Sequence, residues 1–442
     1  MTNLTKRIIK RILPGPFQKW ASQVFFNYKI NKVQKNHEKA LQRIQGKEKI
    51  KVVFLLIHES VWKYDELYKL MEKDERFDPL VLVCPYTPYG EKVMLRELNQ
   101  AYQAFETKGF NVIKSLNEAT GEWLDVKKVL KPDLVFFTNP HNITKNPYLI
   151  SNFLDTLTCY VPYAFMTPKT YNTQFNQFFH NTVWKAFYET PIHKKIAKKY
   201  ARNGGRNVVV TGYPGCDTLI DKTYTPDDKW ILNDRNIKRI IWAPHHLMKE
   251  GLKTSNFLDY YQLMLDIAKK YRNEIQIAFK PHPLIKPKLY EYPEWGVKRT
   301  DDYYNSWKNL DNGQLEEGDY IDLFLTSDAL IHDSGSFITE YLFTGKPELF
   351  MISNDKVMNG WNEYGEMALS MLYYSKRVDD IYNFIENTIL AGKDLMKDER
   401  SKFINDVLIP PNGVSASENI YKEILKVINK KNNEYCSNTC RW

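Results

Sequence analysis

Ile331-His332-Asp333-Ser334-Gly335-Ser336-Phe337-Ile338-Thr339-Glu340-Tyr341-Leu342-Phe343-Thr344-Gly345-Lys346-Pro347 is the stretch from which the fold is read. Before it, Ser327 to Ile331 reads as a short buried strand, and His332 to Ser336 form a polar turn. Phe337, Ile338, Tyr341 and Leu342 then recur at helical spacing, and Gly345 with Pro347 closes the helix. A strand that opens a helix through small hydroxyl residues presents free N–H groups and the positive end of a helix dipole. That arrangement suits a phosphate or diphosphate, with Gly335 letting the backbone approach it. The same turn also fits an ordinary strand-to-helix connection capped by Ser334 or Ser336.

Outward from this turn the pattern repeats. Three apolar strands in the second half run into polar residues at their carboxyl ends. Arg239 to Ala243 ends in Pro244-His245-His246, and Ile275 to Phe279 ends in Lys280-Pro281-His282-Pro283. Ala329 to His332 ends in Asp333-Ser334-Gly335-Ser336. In a parallel sheet all three ends lie on one edge, which gathers His245, His246, His282 and His332 with Lys280. A strand at Glu348 to Ile352 and a helix from Phe257 to Tyr271 complete this second α/β series.

The first half carries the same alternation. Strands are expected at Val52–Ile57, Leu80–Val83, Asn111–Ile113, Leu134–Phe137, Leu157–Tyr163 and Asn207–Val210. Helices such as Trp62–Met71 and Glu91–Phe105 lie between them, which predicts parallel sheets covered on both faces. The chain of 442 residues fits two domains of about 200 residues. The expected division is a basic amphipathic segment at 1–48, a first Rossmann-like domain at 49–222, a second at 223–430 and a tail at 431–442. The fold class is therefore α/β, with two Rossmann-like domains facing across a cleft at the carboxyl ends of their strands. Neither GxGxxG after the first strand nor GxxxxGK[ST] is present.

Charge is unevenly placed. Residues 1–51 hold 13 Lys and Arg against 2 acidic residues, a net of +11, whereas the whole chain carries +9. The body is thus near neutral, which argues against nucleic acid as a partner. Phe17, Trp20 and Val24 share one face of a basic helix after the Pro14-Gly15-Pro16 break. Such a helix suits the surface of an anionic membrane, with contact expected through residues 1–30. Docking on the protein body is the plainer reading of the same helix. No run of about 18 apolar residues spans a membrane. Five scattered cysteines, at 84, 159, 216, 436 and 440, fit a reducing cytoplasm. The expected location is cytoplasmic and peripheral on the inner face of a bacterial membrane.

The residue types on the second-half edge suggest roles. Lys280 and the N–H groups after Asp333 neutralise a diphosphate as the leaving group departs. His245, His246 and His282 act as phosphate donors or acid–base groups, and Glu340 accepts hydrogen bonds from ribose hydroxyls. Asp301-Asp302 and Asp379-Asp380 read as helix-start or surface acids. With no Asp-x-Asp pair at a strand end, no metal is expected, and the activated donor is a substrate, so no cofactor is either.

The order Trp242-Ala243-Pro244-His245-His246, Lys280-Pro281-His282-Pro283, His332 to Ser336 with Glu340, and Gly345-Lys346-Pro347 resembles the carboxyl-terminal half of CDP-glycerol glycerophosphotransferases, which act in teichoic acid and capsule synthesis. Val210-Thr211-Gly212-Tyr213-Pro214 is similar to that family's inter-domain turn. The resemblance implies a GT-B fold, a CDP-linked donor on the second domain, and a lipid-linked or polysaccharide acceptor on the first. Family members carry Trp-His-Gly-Thr in the first domain, where this chain has Tyr160-Val161-Pro162-Tyr163-Ala164-Phe165-Met166-Thr167. His141, or else His180, is then left to activate the acceptor, and His141 joins His245 and His282 as a catalytic candidate. Ser334-Gly335-Ser336, Glu340 and Gly345-Lys346-Pro347 also resemble the UDP-sugar site of non-hydrolysing UDP-GlcNAc 2-epimerases. A UDP-sugar transferase, an isomerase of that kind, and a non-catalytic nucleotide-sugar-binding scaffold are therefore the competing functions.

Overall fold

The computed structural model describes residues 15–234, 236–248 and 254–429, with residues 15–22 described by backbone alone. They form two compact units, each built on a parallel sheet. The first holds β1 (Ile50–Leu56), β2 (Phe77–Val83), β3 (Val112–Lys114), β4 (Leu134–Phe137), β5 (Leu157–Tyr160), β6 (Lys185–Tyr188) and β7 (Val208–Val210). Their order across the sheet is β3-β2-β1-β4-β5-β6-β7. The second holds β8 (Lys238–Ala243), β9 (Ile275–Phe279), β10 (Gly313–Leu315), β11 (Ala329–His332), β12 (Glu348–Met351) and β13 (Tyr373–Ser375), in the order β10-β9-β8-β11-β12-β13. The strand order reverses between β1 and β4 in one sheet and between β8 and β11 in the other. Open α/β sheets bind ligands at the carboxyl ends of the strands flanking such a reversal.

The central strands are buried along nearly their whole length because helices cover both faces, so apolar runs replace alternation. Aromatic side chains fill these layers. Phe54 stacks on Phe136 with ring centroids 4.6 Å apart, and Trp242 stacks on Phe279 at 4.9 Å. Much of the Phe and Trp content is thus core rather than binding surface. β6, β10 and β13, only three or four residues each and mixed in composition, carry too little pattern to be read from sequence.

The expected contiguous division differs from the structure in three places. The second unit begins at Gly215, not 223; it takes in Ala164–Thr170; and it ends at Ser415. Residues 164–170 are held by backbone and side-chain bonds to the Gly360–Asn362 turn: Lys169 N–H donates to Gly360 O at 2.7 Å, and Asn362 Nδ2 to Met166 O at 2.6 Å. The last helix, Ala416–Ile428, packs on the first unit with Ala416, Ile420, Ile424 and Val427 buried. Its Glu423 pairs with Lys185 at 2.6 Å, and Asn419 donates to Thr211 O. Helical periodicity identifies a buried face but not which core receives it, which is why the sequence placed this helix wrongly.

The amino-terminal helix runs Gly15–Ile44. From Ile30 onward its buried residues Ile30, Val33, His37, Leu41 and Ile44 recur every three or four positions. Asn36 Nδ2 donates to Leu154 O and Arg43 to Asp155 O, so this part docks on the first unit. Residues 1–14 and 430–442, including Cys436 and Cys440, lie outside the described residues, as do the side chains of Phe17 and Trp20. Among the described residues no helix is long and apolar enough to cross a membrane.

Candidate functional site

The second sheet's reversal places the residues after β8 beside those after β11, with the end of β9 on the far side of β8. His245, His246 and His282 meet there as a half-buried group. Their ring centroids are 4.4 Å (His245–His246), 5.3 Å (His245–His282) and 4.2 Å (His246–His282) apart. One nitrogen from each ring falls within 4.8 Å of the others, a spacing that brings a metal ion to mind.

The hydrogen bonds bear on which ring nitrogens stay open. His282 Nδ1 accepts the backbone N–H of Leu284 at 3.1 Å, and His246 Nδ1 lies 2.6 Å from the Lys288 ammonium. A ring whose Nδ1 accepts carries its proton on Nε2 when neutral, which leaves no Nε2 lone pair for a cation. The adjacent Lys288 ammonium also repels a second cation. His246 and His282 thus present N–H donors, which suits an oxyanion, whereas His245 Nδ1 lies 3.0 Å from the Thr254 hydroxyl, which fits either tautomer. Burial pushes the pKa values down, to about 3 for His245 and about 4 for His246 and His282, with the neighbouring His246 and Lys288 charges adding to the effect. All three rings are therefore neutral near pH 7.

Asp333 and His332 lie beneath the β11 turn rather than on its open side. Asp333 accepts the backbone N–H groups of His245 and Asn256 and the Asn256 side-chain amide at 3.3 Å. Burial raises its pKa to about 7 against the pull of those donors. His332 is the last residue of a strand paired on both sides, and it is fully buried. Its Nδ1 accepts the N–H of Ser334 at 3.1 Å, and its Nε2 lies 2.7 Å from Glu348 Oε1. Burial lowers the His332 pKa to about 3 and raises that of Glu348 well above the carboxylate range, both shifts disfavouring charge on the pair. The expected direct contacts of His332 and Asp333 with a ligand are corrected accordingly. They shape the turn from below because a central strand of a two-faced sheet has no solvent side.

Ser334 and Ser336 face each other with hydroxyls 3.3 Å apart, and neither caps the following helix through Ser336 as N-cap. Gly335 is covered by Trp361, whose ring lies 3.4 Å from where a Cβ would stand. The helix is short: an α-helical turn Phe337–Glu340 continues as 3-10 helix Tyr341–Thr344 and ends at Gly345, whose φ of 70° gives the expected left-handed close. Glu340 is buried at its first turn and accepts the Tyr320 hydroxyl. Lys280 is mostly buried, its ammonium donating to Gly318 O at 2.7 Å, so it ties the strand end to the loop after β10. Burial lowers its pKa, opposed by Glu316 and Asp319.

His141 sits elsewhere, after β4 in the first unit. Its Nδ1 lies 2.7 Å from the Gln177 amide nitrogen, and burial lowers its pKa. His180 is buried with its Nδ1 accepting the N–H of Gln177. Sequence reading missed Asn256, Tyr320, Lys288 and Trp361. Asn256 alone carried a signal, standing just before the apolar helix Phe257–Lys270 where a cap belongs, yet its side chain serves Asp333 and Met351 O instead.

Two Rossmann-like units, each on a parallel sheet, define a GT-B-type fold. The family described as CDP-Glycerol:Poly(glycerophosphate) glycerophosphotransferase matches residues 168–426, and the chain belongs to it. Among solved structures it is similar to the wall teichoic acid polymerase TagF, at 15% identity over 93% of this chain and 97% of that one, with a TM-score of 0.55. The MnaA–UDP structure from S. aureus aligns at 18% identity over 87% and 99%, TM-score 0.53. UDP-GlcNAc 2-epimerase from Neisseria meningitidis, bound to UDP-GlcNAc, aligns at 16% over 85% and 100%, TM-score 0.52. At these identities the likeness is one of fold. A search of curated proteins found no match.

Proposed function

We propose that this transferase moves glycerol phosphate, or a related polyol phosphate or sugar, from a CDP-linked donor to a lipid-linked or glycan acceptor in teichoic-acid-like polymer synthesis. The observation that carries the reading is the His245–His246–His282 cluster, with His246 and His282 oriented as N–H donors, in the unit to which most of the family match belongs. In this reading the three imidazoles and the uncapped turn bind the donor diphosphate. As the P–O bond to the nucleotide breaks, negative charge grows on the departing phosphate, and preorganised donors stabilise it more than they stabilise the ground state. His282 and His245 then supply the proton-sharing contacts to the leaving group. Lys280 and Glu340 act through the Tyr320 loop, Glu340 as the carboxylate nearest a ribose. Asp333 and His332 hold the frame. No metal is needed for this charge stabilisation.

The basic amino-terminal segment supports a peripheral contact with the inner face of an anionic membrane. Deleting residues 1–29, which removes the Phe17–Trp20–Val24 face and leaves the docked part of the helix from Ile30 in place, is expected to shift the protein to the soluble fraction.

The test of function is a donor panel. Purified protein with CDP-glycerol and a lipid-linked or glycan acceptor is expected to release CMP. Absence of nucleotide release with every CDP- and UDP-linked donor would sink the reading.

A further inference from the structure

His246 differs from its two neighbours in what holds its inner nitrogen. Lys288 stands on the helix Ile285–Tyr290, which follows the Lys280–Pro283 turn. Its ammonium lies 2.6 Å from His246 Nδ1 and donates to His246 O at 3.1 Å. The helix is anchored, because Ile285 and Leu289 are both fully buried in the second unit's core. An ammonium has three donors and no acceptor, so His246 Nδ1 accepts and the neutral ring keeps its proton on Nε2. His282 Nδ1 accepts a neutral backbone N–H, and His245 Nδ1 faces a hydroxyl that can turn either way. Among the described residues, His246 alone of the three rings has a charged donor on Nδ1.

A carboxylate on the inner nitrogen of an imidazole makes the ring a stronger base. An ammonium does the reverse. It polarises the ring, strengthens Nε2–H as a donor, and opposes a second proton. Adding that proton at Nδ1 would break the bond to Lys288 and set two like charges side by side. Burial and the Lys288 charge together hold the His246 pKa down, to about 4. The titratable groups facing the ring are His245 on its own loop, His282 after β9 and Lys288, while Asp333 braces the loop through the His245 N–H. The Lys288–His246 pair therefore presents positive charge to an oxyanion through a neutral N–H, with no proton drawn from solution.

We propose that Lys288 is a positioning residue that fixes His246 as a permanent N–H donor to the donor diphosphate, a ring that stabilises charge and takes no part in proton transfer. The assignment rests on the reading that this cluster binds that diphosphate. The Nε2 proton of His246 stays on the ring throughout the reaction. Sharing a proton with the leaving phosphate falls to His245 and His282, whose Nδ1 partners carry no charge.

The test is calorimetric titration of the full chain with CDP at pH 8 and pH 6, in paired buffers of different ionisation enthalpy. Lys288→Met is expected to weaken binding about tenfold at pH 8 but less than about threefold at pH 6, where the released Nδ1 can take up a proton and restore a charged donor. Net proton uptake at pH 6 should accordingly exceed that of the wild type. Lys288→Arg keeps a charged donor and should stay within about threefold of wild type at pH 8. In a His246→Gln background, Lys288→Met should change affinity by less than about a further twofold. Lys288→Gln, a polar change at a half-buried position, is expected to repeat the pH-dependent loss and serves if Lys288→Met folds poorly. An equal loss at both pH values is what a merely structural lysine would give, and it overturns the assignment. So do losses from Lys288→Met and His246→Gln that multiply. If the wild-type chain binds neither CDP nor UDP, the nucleotide reading itself falls and takes this assignment with it.

Discussion

The carboxylate of Asp333, after β11, accepts the backbone N–H of His245, after β8. The same carboxylate accepts the N–H of Asn256 at the start of the helix Phe257–Lys270. One buried acid therefore braces the two strand ends flanking the reversal and fixes where the first imidazole of the cluster stands.

Asp333→Asn keeps the size of this brace but removes its ionisation. The Asp333 pKa rises from 3.8 unfolded to about 7 folded. A raised acid contributes stability that is complete below the unfolded value and is lost as pH climbs through the folded one. Wild-type stability is therefore expected to fall relative to Asp333→Asn between pH 4 and 7.5, by on the order of 2–4 kcal/mol. Parallel thermal melts at pH 4.5 and 7.5 check the sign. A difference that grows in the wild type's favour as pH rises refutes it.

Binding of a nucleoside diphosphate is expected to take up protons. Free His245, His246 and His282 are neutral down to about pH 4. A bound oxyanion favours their charged forms and raises their pKa values toward neutrality. CDP affinity should thus strengthen as pH falls from 8 to 5.5. Calorimetry in two buffers of different ionisation enthalpy should report net proton uptake near pH 6.5, and His282→Ala should reduce it. Affinity that weakens toward low pH would contradict the donor arrangement.

Chelation is expected to leave activity intact. With Nδ1 of His246 and His282 committed as acceptors and the Lys288 ammonium adjacent, the cluster is a poor cation site. Adding EDTA should change nucleotide release by less than about twofold. A tenfold loss that a divalent cation restores would show that these rings rearrange to bind metal.

Much of the second unit's strand-end cluster was legible because its signals are local. Each of β8, β9 and β11 is a short apolar run with a histidine at its end or within three residues of it, and a parallel sheet must bring such ends to one edge. What sequence could not supply was direction and depth. His332 and Asp333 read as exposed polar residues, yet pairing on both sides of β11 leaves them no solvent face. Lys280 read as a cation free to meet a diphosphate but is tied to Gly318 O, in the loop after a strand too short to recognise. In the first unit, His141 carries no motif, and its bond to Gln177 joins residues far apart in the chain, which no local pattern reveals.

Gly365→Ala is expected to loosen Ala164–Thr170 from the second unit. A Cβ at this position would stand 2.6 Å from Thr167 O and 3.1 Å from Trp361 Cβ. The first neighbour is backbone, so relief requires moving the segment rather than rotating a side chain. That segment is anchored by Asn362, whose Oδ1 accepts the N–H of Gly365 at 2.8 Å while its Nδ2 donates to Met166 O. Shifting one partner strains the other. Overpacking of this kind costs about 1–3 kcal/mol. Asn362→Ala removes the anchor without adding bulk and takes away the side-chain acceptor of the buried Gly365 N–H, also for about 1–3 kcal/mol. Because Trp361 covers Gly335, both changes should also weaken CDP binding. Urea unfolding with calorimetric CDP titration measures both effects. A Gly365→Ala protein of wild-type stability would mean that residues 164–170 are not held where the Thr167–Gly365 contact places them.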